Sequence, residues 1–439
     1  MVVKTVNPYT GEELHDYREE REEEIAKSVH NIRSEQREWG KDIDRRVAFL
    51  REVLKPGLVR MEKELAQQMT LEMGKPISQS LAEIRKCALL VDYFAENAVK
   101  LLTPEQVNTG AKKSYVRFDP IGVIELIMPW NYPMWQVMRA AVPALAAGNG
   151  VILKHASIVS GTSMMIERLM QSPLFKSVIA RGDDALACIR YVDGVSFTGS
   201  TAAGAAIAER AGRELKKTVL ELGGSDPFIV LPSADIKKAA KNAAYGRLQN
   251  AGQSCIASKR FIVHESVYDE FYSELRANFE STVSGDPMDE KTFLGPLSSS
   301  QQSNTVLNQI HLLKSMGTVD STGVAKGNFI PPTIVRLNGN YNDEIFGPVA
   351  VLLKYGDELE AIRIANETPF GLGSSIWGEP EEAERMAASI DAGMVFVNKI
   401  VASDPRVPFG GVKKSGYGRE LSRYGLLEFT NIKTVWIED

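Results

Sequence analysis

The hydrophobic positions change period along the chain. Over residues 16–102, apolar residues recur three or four apart, as in Ala48-Leu50-Val53-Leu54 and Leu81-Ile84-Cys87-Leu90. That spacing puts them on one face of a helix, so this region is expected to be mostly helical. The acidic run at 19–24 fits a solvated helix face, because Ile25, Val29 and Ile32 carry the apolar stripe onward. Cys87 lies on such a stripe and is expected in the core. Residues 113–128 switch to alternation. Ser114-Tyr115-Val116-Arg117-Phe118 alternates, Asp119-Pro120 breaks the run, and a second strand-like stretch reaches Met128. This reads as a hairpin, or as an edge strand followed by a central one.

From there strands and helices interleave. Strands are expected at 122–128, 151–154, 194–197, 218–222 and 227–231, with helices at 134–145, 162–170 and 202–215. That order predicts a parallel α/β sheet, in which ligands bind beyond the carboxyl ends of the strands. A second α/β run covers 235–400. It comprises helix 236–249, strand 260–263, helix 267–280 and a polar Gly-containing stretch near 313–328. Strand 349–355, helix 359–365, strand 374–377, helix 381–388 and strand 394–398 follow. The tail combines a Gly-rich turn at 407–418, a short helix at 419–425 and a final strand at 433–437.

Composition narrows the class. The chain has 439 residues, room for two or three domains and more than one core. A net charge of −5 argues against nucleic acid or a polybasic membrane surface as partner. No apolar run approaches the roughly 20 residues of a membrane helix, and the first residues lack a signal-peptide pattern. Cys87, Cys188 and Cys255 are too scattered for a disulfide framework or a zinc site. The five histidines show no metal-ligand spacing, so no metal is expected. A cytoplasmic protein with reduced thiols is the expectation.

Chemistry concentrates in loops. Cys255 follows a small polar turn, 250–254, between an expected helix and an expected strand. A nucleophilic cysteine needs an exposed polar place, because the thiolate is the reactive form and apolar burial suppresses it. A lone cysteine is otherwise a small buried hydrophobe. Pro129-Trp130-Asn131-Tyr132-Pro133 is a rigid turn after a strand. Asn131 there is either an oxyanion donor or a cap for the next helix. Phe197-Thr198-Gly199-Ser200 runs into a small-residue helix start. It either aims backbone N–H groups at a phosphate or is only a tight turn. Glu221-Leu222-Gly223-Gly224 ends a strand with a carboxylate. Glu221 is a general base or half of a structural ion pair. Residues 408–420 pack four glycines into a backbone shaped for contact.

Taken together, these segments resemble the aldehyde dehydrogenase superfamily over nearly the whole chain. Pro-Trp-Asn-Tyr-Pro at 129–133, Phe-Thr-Gly-Ser at 197–200, Glu-Leu-Gly-Gly at 221–224 and Gly-Gln-Ser-Cys at 252–255 carry the likeness. So do Glu344-Ile345-Phe346-Gly347-Pro348 and Pro-Phe-Gly-Gly-Val-Lys at 408–413. The order of the motifs, and the 34 residues from Glu221 to Cys255, also fit the family. The resemblance implies Cys255 as nucleophile, Asn131 with the Cys255 N–H as oxyanion donors, and Glu221 as activator of the hydrolytic water. It implies Glu420 as a proton relay, Glu344 on the nicotinamide-side ribose with Phe346 nearby, and Lys154 on the adenine-side ribose. Pro129, Trp130, Gly199, Ser200 and Gly223 are implied to line the cofactor site.

The same resemblance implies a Rossmann-like cofactor domain (1–105 and 126–230), an α/β catalytic domain (231–407), and a β oligomerisation arm (106–125 and 408–439). A homodimer or homotetramer follows from such an arm. Where many relatives carry a ribose-binding Glu, this chain has Ser157. Without that carboxylate a 2′-phosphate is not repelled, so NADP is favoured and NAD stays open. Lys154-His155-Ala156, Trp135-Gln136 and Ser403-Asp404-Pro405-Arg406 resemble the short succinate-semialdehyde dehydrogenases. That likeness implies Arg139, Trp135 and Ser403 as substrate-binding residues and succinic semialdehyde as substrate. Arg139 in a surface ion pair is the plainer reading. Glyceraldehyde or another small aldehyde is the alternative substrate. An acylating variant would not need Glu221, and a cysteine hydrolase using His264 leaves the Gly motifs unexplained. A silent binding relative would not need Cys255, Glu221 and Asn131 together.

Overall fold

The computed structural model describes residues 2–439. Its centre is a six-stranded sheet in the order Gly416–Tyr417, Lys217–Glu221, Gly194–Thr198, Val123–Met128, Gly150–His155, Phe175–Val178. All neighbours are parallel except the first pair. Every residue of Val123–Met128 is buried. A strand covered by helices on both faces reads as a continuous apolar run, and only Glu125 interrupts it.

A seven-stranded sheet runs Gly317–Ser321, Thr333–Leu337, Val349–Tyr355, Arg260–His264, Pro227–Val230, Gly373–Trp377, Met394–Val397. It too is parallel but for the edge strand Gly317–Ser321. Phe228 stacks on Trp377 with ring centroids 5.3 Å apart and anchors its core. A third, antiparallel sheet joins Thr430–Ile437, Lys113–Pro120 and Glu105–Gln106. No helix among the described residues is long and apolar enough to cross a membrane.

Several expectations from the pattern need correction. The expected cofactor half ended at residue 230, yet Pro227–Val230 pairs inside the seven-stranded sheet. The region 113–128 is not a hairpin. Lys113–Pro120 joins the three-stranded sheet, while Val123–Met128 becomes the middle of the large one. Gly122 makes that switch at φ +137°, where a side chain would collide with the Asp193 carboxylate. Residues 13–18 form a strand paired with Val2–Val6, not part of the helical region. The polar stretch near 313–328 contains the strand Gly317–Ser321, which has no buried residue and so no hydrophobic signal. The helix Ser300–Leu313 escaped notice because it buries only Ser303, Val306 and Leu313. Of the expected arm segment 408–439, only Thr430–Ile437 joins the three-stranded sheet. Gly416–Tyr417 pairs with Lys217–Glu221 instead.

One buried amide ties the large sheet to the tail. Asn149 Oδ1 accepts the N–H groups of Ile121 and Gly122 at 2.9 and 3.0 Å, and its Nδ2 donates to the Phe429 carbonyl at 3.0 Å. Replacing it strands these groups away from water, at about 1–3 kcal/mol for each unsatisfied group. Asn149→Ala is therefore expected to lower the thermal midpoint by several degrees in a calorimetric scan. An unchanged midpoint would show that the amide carries no such load.

Candidate active site

Cys255 hangs from a loop with unusual backbone. Asn250, Ala251 and Gly252 lie in succession at φ +52°, +52° and +72°. Only glycine takes that region freely, so neighbouring groups must hold the other two. Asn250 Nδ2 donates to the Asn131 carbonyl at 2.7 Å and its N–H donates to Gln79 Oε1 at 2.8 Å. Arg247, fully buried, donates to the carbonyls of Gly252 at 2.6 Å and Gly347 at 2.7 Å. Gly252 is pressed so closely on the Gly347 carbonyl that a Cβ would overlap it. Lys259, also buried, donates to the carbonyls of Ser254 at 3.0 Å and Cys255 at 2.6 Å. The nucleophile loop is thus clamped from behind by two cations that lie outside the Gly-Gln-Ser-Cys motif. Lys259 stands four residues after Cys255, and that adjacency was the available signal.

Cys255 lines two cavities, each of 260 Å³. One is walled by Pro129, Trp130, Asn131, Gly199, Ser200, Gly223, Glu344 and Phe346, which brings the expected cofactor motifs to one chamber. The Trp130 and Phe346 rings meet edge-on at 5.8 Å. Gly223 keeps this wall open, since a Cβ there would sit 2.5 Å from Glu344 Oε2. Ser200 caps the helix Thr201–Arg213 at the chamber's edge, its Oγ accepting the Ala203 N–H at 3.3 Å. A helix N-terminus there presents positive potential to an anionic group. The chamber therefore suits the phosphate-bearing part of a nucleotide cofactor. Glu344 is turned toward the Gly224 N–H at 3.2 Å and Lys259 at 3.3 Å.

Lys154 and Ser157 do not line either cavity. Lys154 is half-buried, and burial lowers its pKa against the opposing pull of Glu125. Ser157 is exposed just past the strand Gly150–His155. His155 is buried between them. Its Nδ1 accepts the Ala156 N–H at 2.9 Å, which leaves Nε2–H to donate to the Pro133 carbonyl at 3.0 Å. Burial pushes its pKa down to about 4, so it is a neutral strut.

The second cavity holds Trp135, Arg139 and Ser403, together with Tyr132, Phe409 and a residue absent from the expected set, Lys86. Lys86 lies on the helix Ile77–Leu101, beside the apolar stripe that contains Cys87. A lysine next to such a stripe reads as surface, and no sequence signal marked it.

Arg139 is not in a surface pair. It is ion-paired with Glu420, both almost wholly buried, and lies over the Phe409 ring at 4.5 Å. Asn131 Nδ2 donates one hydrogen to the Gln253 carbonyl at 3.1 Å and keeps a second free. Asn131 also does not cap the following helix: Glu83 Oε1 accepts the N–H groups of Met134 and Trp135, both at 2.8 Å. Glu221 ends its strand with both carboxyl oxygens buried and unpartnered. Its pKa is raised by burial and then by Glu420, with Arg139 opposing. A carboxyl so placed favours its protonated form more than a solvated one would.

Cys255 is less open than a polar loop led one to expect. Burial pushes its thiol up to about 12, with Arg139 and Lys259 pulling the other way. The other two cysteines are buried core residues, as the apolar stripe suggested for Cys87.

A thiol shared by two cavities, one of them lined by glycines and a helix N-terminus, with an amide donor and a carboxyl nearby, has the layout of an enzyme site. The aldehyde dehydrogenase family model matches residues 1–435. A succinate-semialdehyde dehydrogenase (NADP+) of Mycobacterium tuberculosis is 41% identical over 100% of both chains. A probable succinate-semialdehyde dehydrogenase (NADP+) of Synechocystis is 45% identical over 87% of each. The crystal structure of succinic semialdehyde dehydrogenase from Streptococcus pyogenes with NADP+ superposes with a TM-score of 0.96, at 38% identity and full coverage of both chains. The chain belongs to the aldehyde dehydrogenase family.

The raised thiol pKa has a direct consequence for the free protein. Because the thiolate is the reactive form, alkylation of Cys255 by iodoacetamide is expected to quicken about tenfold per pH unit from pH 7 to 9, without a plateau. Peptide mass spectrometry separates Cys255 from the two buried cysteines. A rate already level at pH 7 would mean that the thiolate is present at rest.

Proposed function

We propose that this enzyme oxidises succinic semialdehyde to succinate, with NADP as cofactor. The observation that carries the reading is the position of Cys255 at the seam of the two cavities, where one carbon can face both the thiol and a cofactor. Relatives named for this substrate and cofactor support it, at 41% and 45% identity. Ser157 supports NADP, because it puts no carboxylate where a 2′-phosphate would lie. Lys154 is taken as a ligand of the adenine-side ribose and Glu344 of the nicotinamide-side ribose.

Cys255 Sγ passes its proton to a water molecule and attacks the aldehyde carbon to form the C–S bond. Arg139 and Lys259, the two cations that lower the thiol pKa, make that proton easier to lose. The free Asn131 amide hydrogen and the Cys255 N–H receive the aldehyde oxygen as it becomes negative. NADP+, when bound, would supply the hydride acceptor, and with the hydride gone Cys255 Sγ holds the acyl group as a thioester. A water then attacks the thioester carbonyl, its proton goes to the Glu221 carboxylate, and the C–S bond breaks to release succinate. Glu221 must be ionised for this step, a form that burial disfavours and Arg139 favours. Glu420 holds Arg139 in place and acts as the neighbouring relay.

The six-stranded sheet is assigned to the cofactor and the seven-stranded sheet to the loop that carries Cys255. The three-stranded sheet is assigned to association into a dimer or tetramer. Ile432 and Trp436, 61% and 52% exposed on its strand Thr430–Ile437, support that role. Three free cysteines support a reducing, cytoplasmic setting.

Cofactor reduction by the purified protein tests this reading. Succinic semialdehyde with NADP+ is expected to exceed glyceraldehyde and a neutral aliphatic aldehyde by about tenfold or more in kcat/KM, and NAD+ to be the poorer cofactor. Cys255→Ala is expected to lose turnover and still bind NADP+. A preference for glyceraldehyde would overturn the substrate, a preference for NAD+ the cofactor, and turnover by Cys255→Ala the mechanism.

A further inference from the structure

The pocket opposite the cofactor chamber contains two cations, and they differ in one respect. Arg139 is already matched by the buried Glu420 carboxylate. Lys86 has no carboxylate within ion-pair distance among the described residues. Its Nζ donates to Ser403 Oγ at 2.6 Å and lies over the Trp135 ring at 4.2 Å. An ammonium carries three hydrogens, so donors remain after the bond to Ser403. The Ser403 hydroxyl accepts from Lys86, which leaves its own hydrogen to donate. Lys86 Nζ and Ser403 Oγ thus form two adjacent donors on the wall of the Cys255 pocket, a pattern that suits the two oxygens of a carboxylate.

The electrostatics agree. Burial, and then the positive charge of Arg139, bring Lys86 down to about 8. The titratable groups that bear on it are Arg139, Glu83 and Asp404, with the buried Cys87 thiol beside them. Glu83 is engaged elsewhere, ion-paired with Lys75 and accepting the N–H groups of Met134 and Trp135. Asp404 is held by Arg406, with Nη2 at 2.6 Å from Oδ2. The ammonium is therefore under-compensated in its own pocket, and an incoming anion would relieve it.

We propose that Lys86, with Ser403 as its co-donor, receives the carboxylate of the aldehyde substrate and so sets the preference for an acid over a neutral aldehyde. Arg139 keeps a different task, holding Glu420 and lowering the cost of the Cys255 thiolate. The inference rests on the reading of the substrate as an aldehyde that bears a carboxylate at its far end.

The test compares succinic semialdehyde with its neutral methyl ester in the wild-type enzyme and in Lys86→Met, which keeps the stem over Trp135 and removes the charge. KM for the acid is expected to rise about 10- to 100-fold, the scale of one hydrogen bond to a charged group, while kcat changes far less. KM for the ester should move less than about threefold, within the range of a lost surface contact. Lys86→Arg should restore the preference for the acid. Equal changes in KM for acid and ester would overturn the proposal.

Succinate inhibition of ester oxidation reads the carboxylate site separately. Inhibition that is present in the wild type and lost in Lys86→Met supports the site, even if the acid proves not to be the preferred substrate, in which case the substrate reading alone fails. Inhibition absent from the wild type, or equal in both, overturns the site. Should Lys86→Met not fold, Ser403→Ala is expected to weaken succinate inhibition in the same direction, and an unchanged inhibition constant there would count against the pair.

Discussion

Everything at the centre depends on a loop that would not hold its shape alone. Two of the residues just before Cys255, Asn250 and Ala251, sit in left-handed backbone that costs a non-glycine residue about 1–3 kcal/mol. Arg247 and Lys259 hold it there. Both are buried, and both direct N–H groups at main-chain carbonyls rather than at water. Arg247 also ties the loop to Gly347, beside the Phe346 that walls the cofactor chamber. The position of the thiol and the shape of the cofactor wall are therefore set by the same guanidinium. Arg247 has a pKa lowered to about 9 by that burial, the electrostatic cost of placing a cation where only carbonyls meet it.

The site is best understood by which charges are matched. Lys75 pairs with Glu83, and Glu83 in turn accepts the first N–H groups of the helix that carries Trp135 and Arg139. Arg139 pairs with Glu420. The Glu221 carboxyl oxygens have no hydrogen-bond partner among the described residues and burial favours their protonated form, while burial pushes the Cys255 thiol up to about 12. Burial thus works against a stored thiolate–carboxylate pair, whose desolvation would be costly. Reactivity has to appear when ligands fill the two cavities.

Residues at strand ends were legible in the sequence, because a short motif after a strand has only one place to be in a parallel sheet. Asn131 and Gly199 both reach one chamber with Cys255 for that reason. Partnerships between distant segments were not legible. Nothing local says that Arg139 meets Glu420, and a hydrophobic stripe hides Lys86 by making its neighbours the signal. Strength of pattern also decided the fold. Val349–Tyr355, almost wholly buried, was read at its true limits, whereas Gly317–Ser321, an edge strand with no buried residue, read as a polar loop.

The central claim is that Cys255 carries the substrate as a thioester whose release needs the Glu221 carboxylate. The most direct measurement is intact-peptide mass spectrometry of Glu221→Gln quenched during turnover of succinic semialdehyde with NADP+. A succinyl group on the Cys255 peptide, accumulating in the variant and scarce in the wild type, is the expected result. An unmodified Cys255 in a variant that still reduces cofactor, or a succinyl group on Cys87 or Cys188 instead, would contradict it.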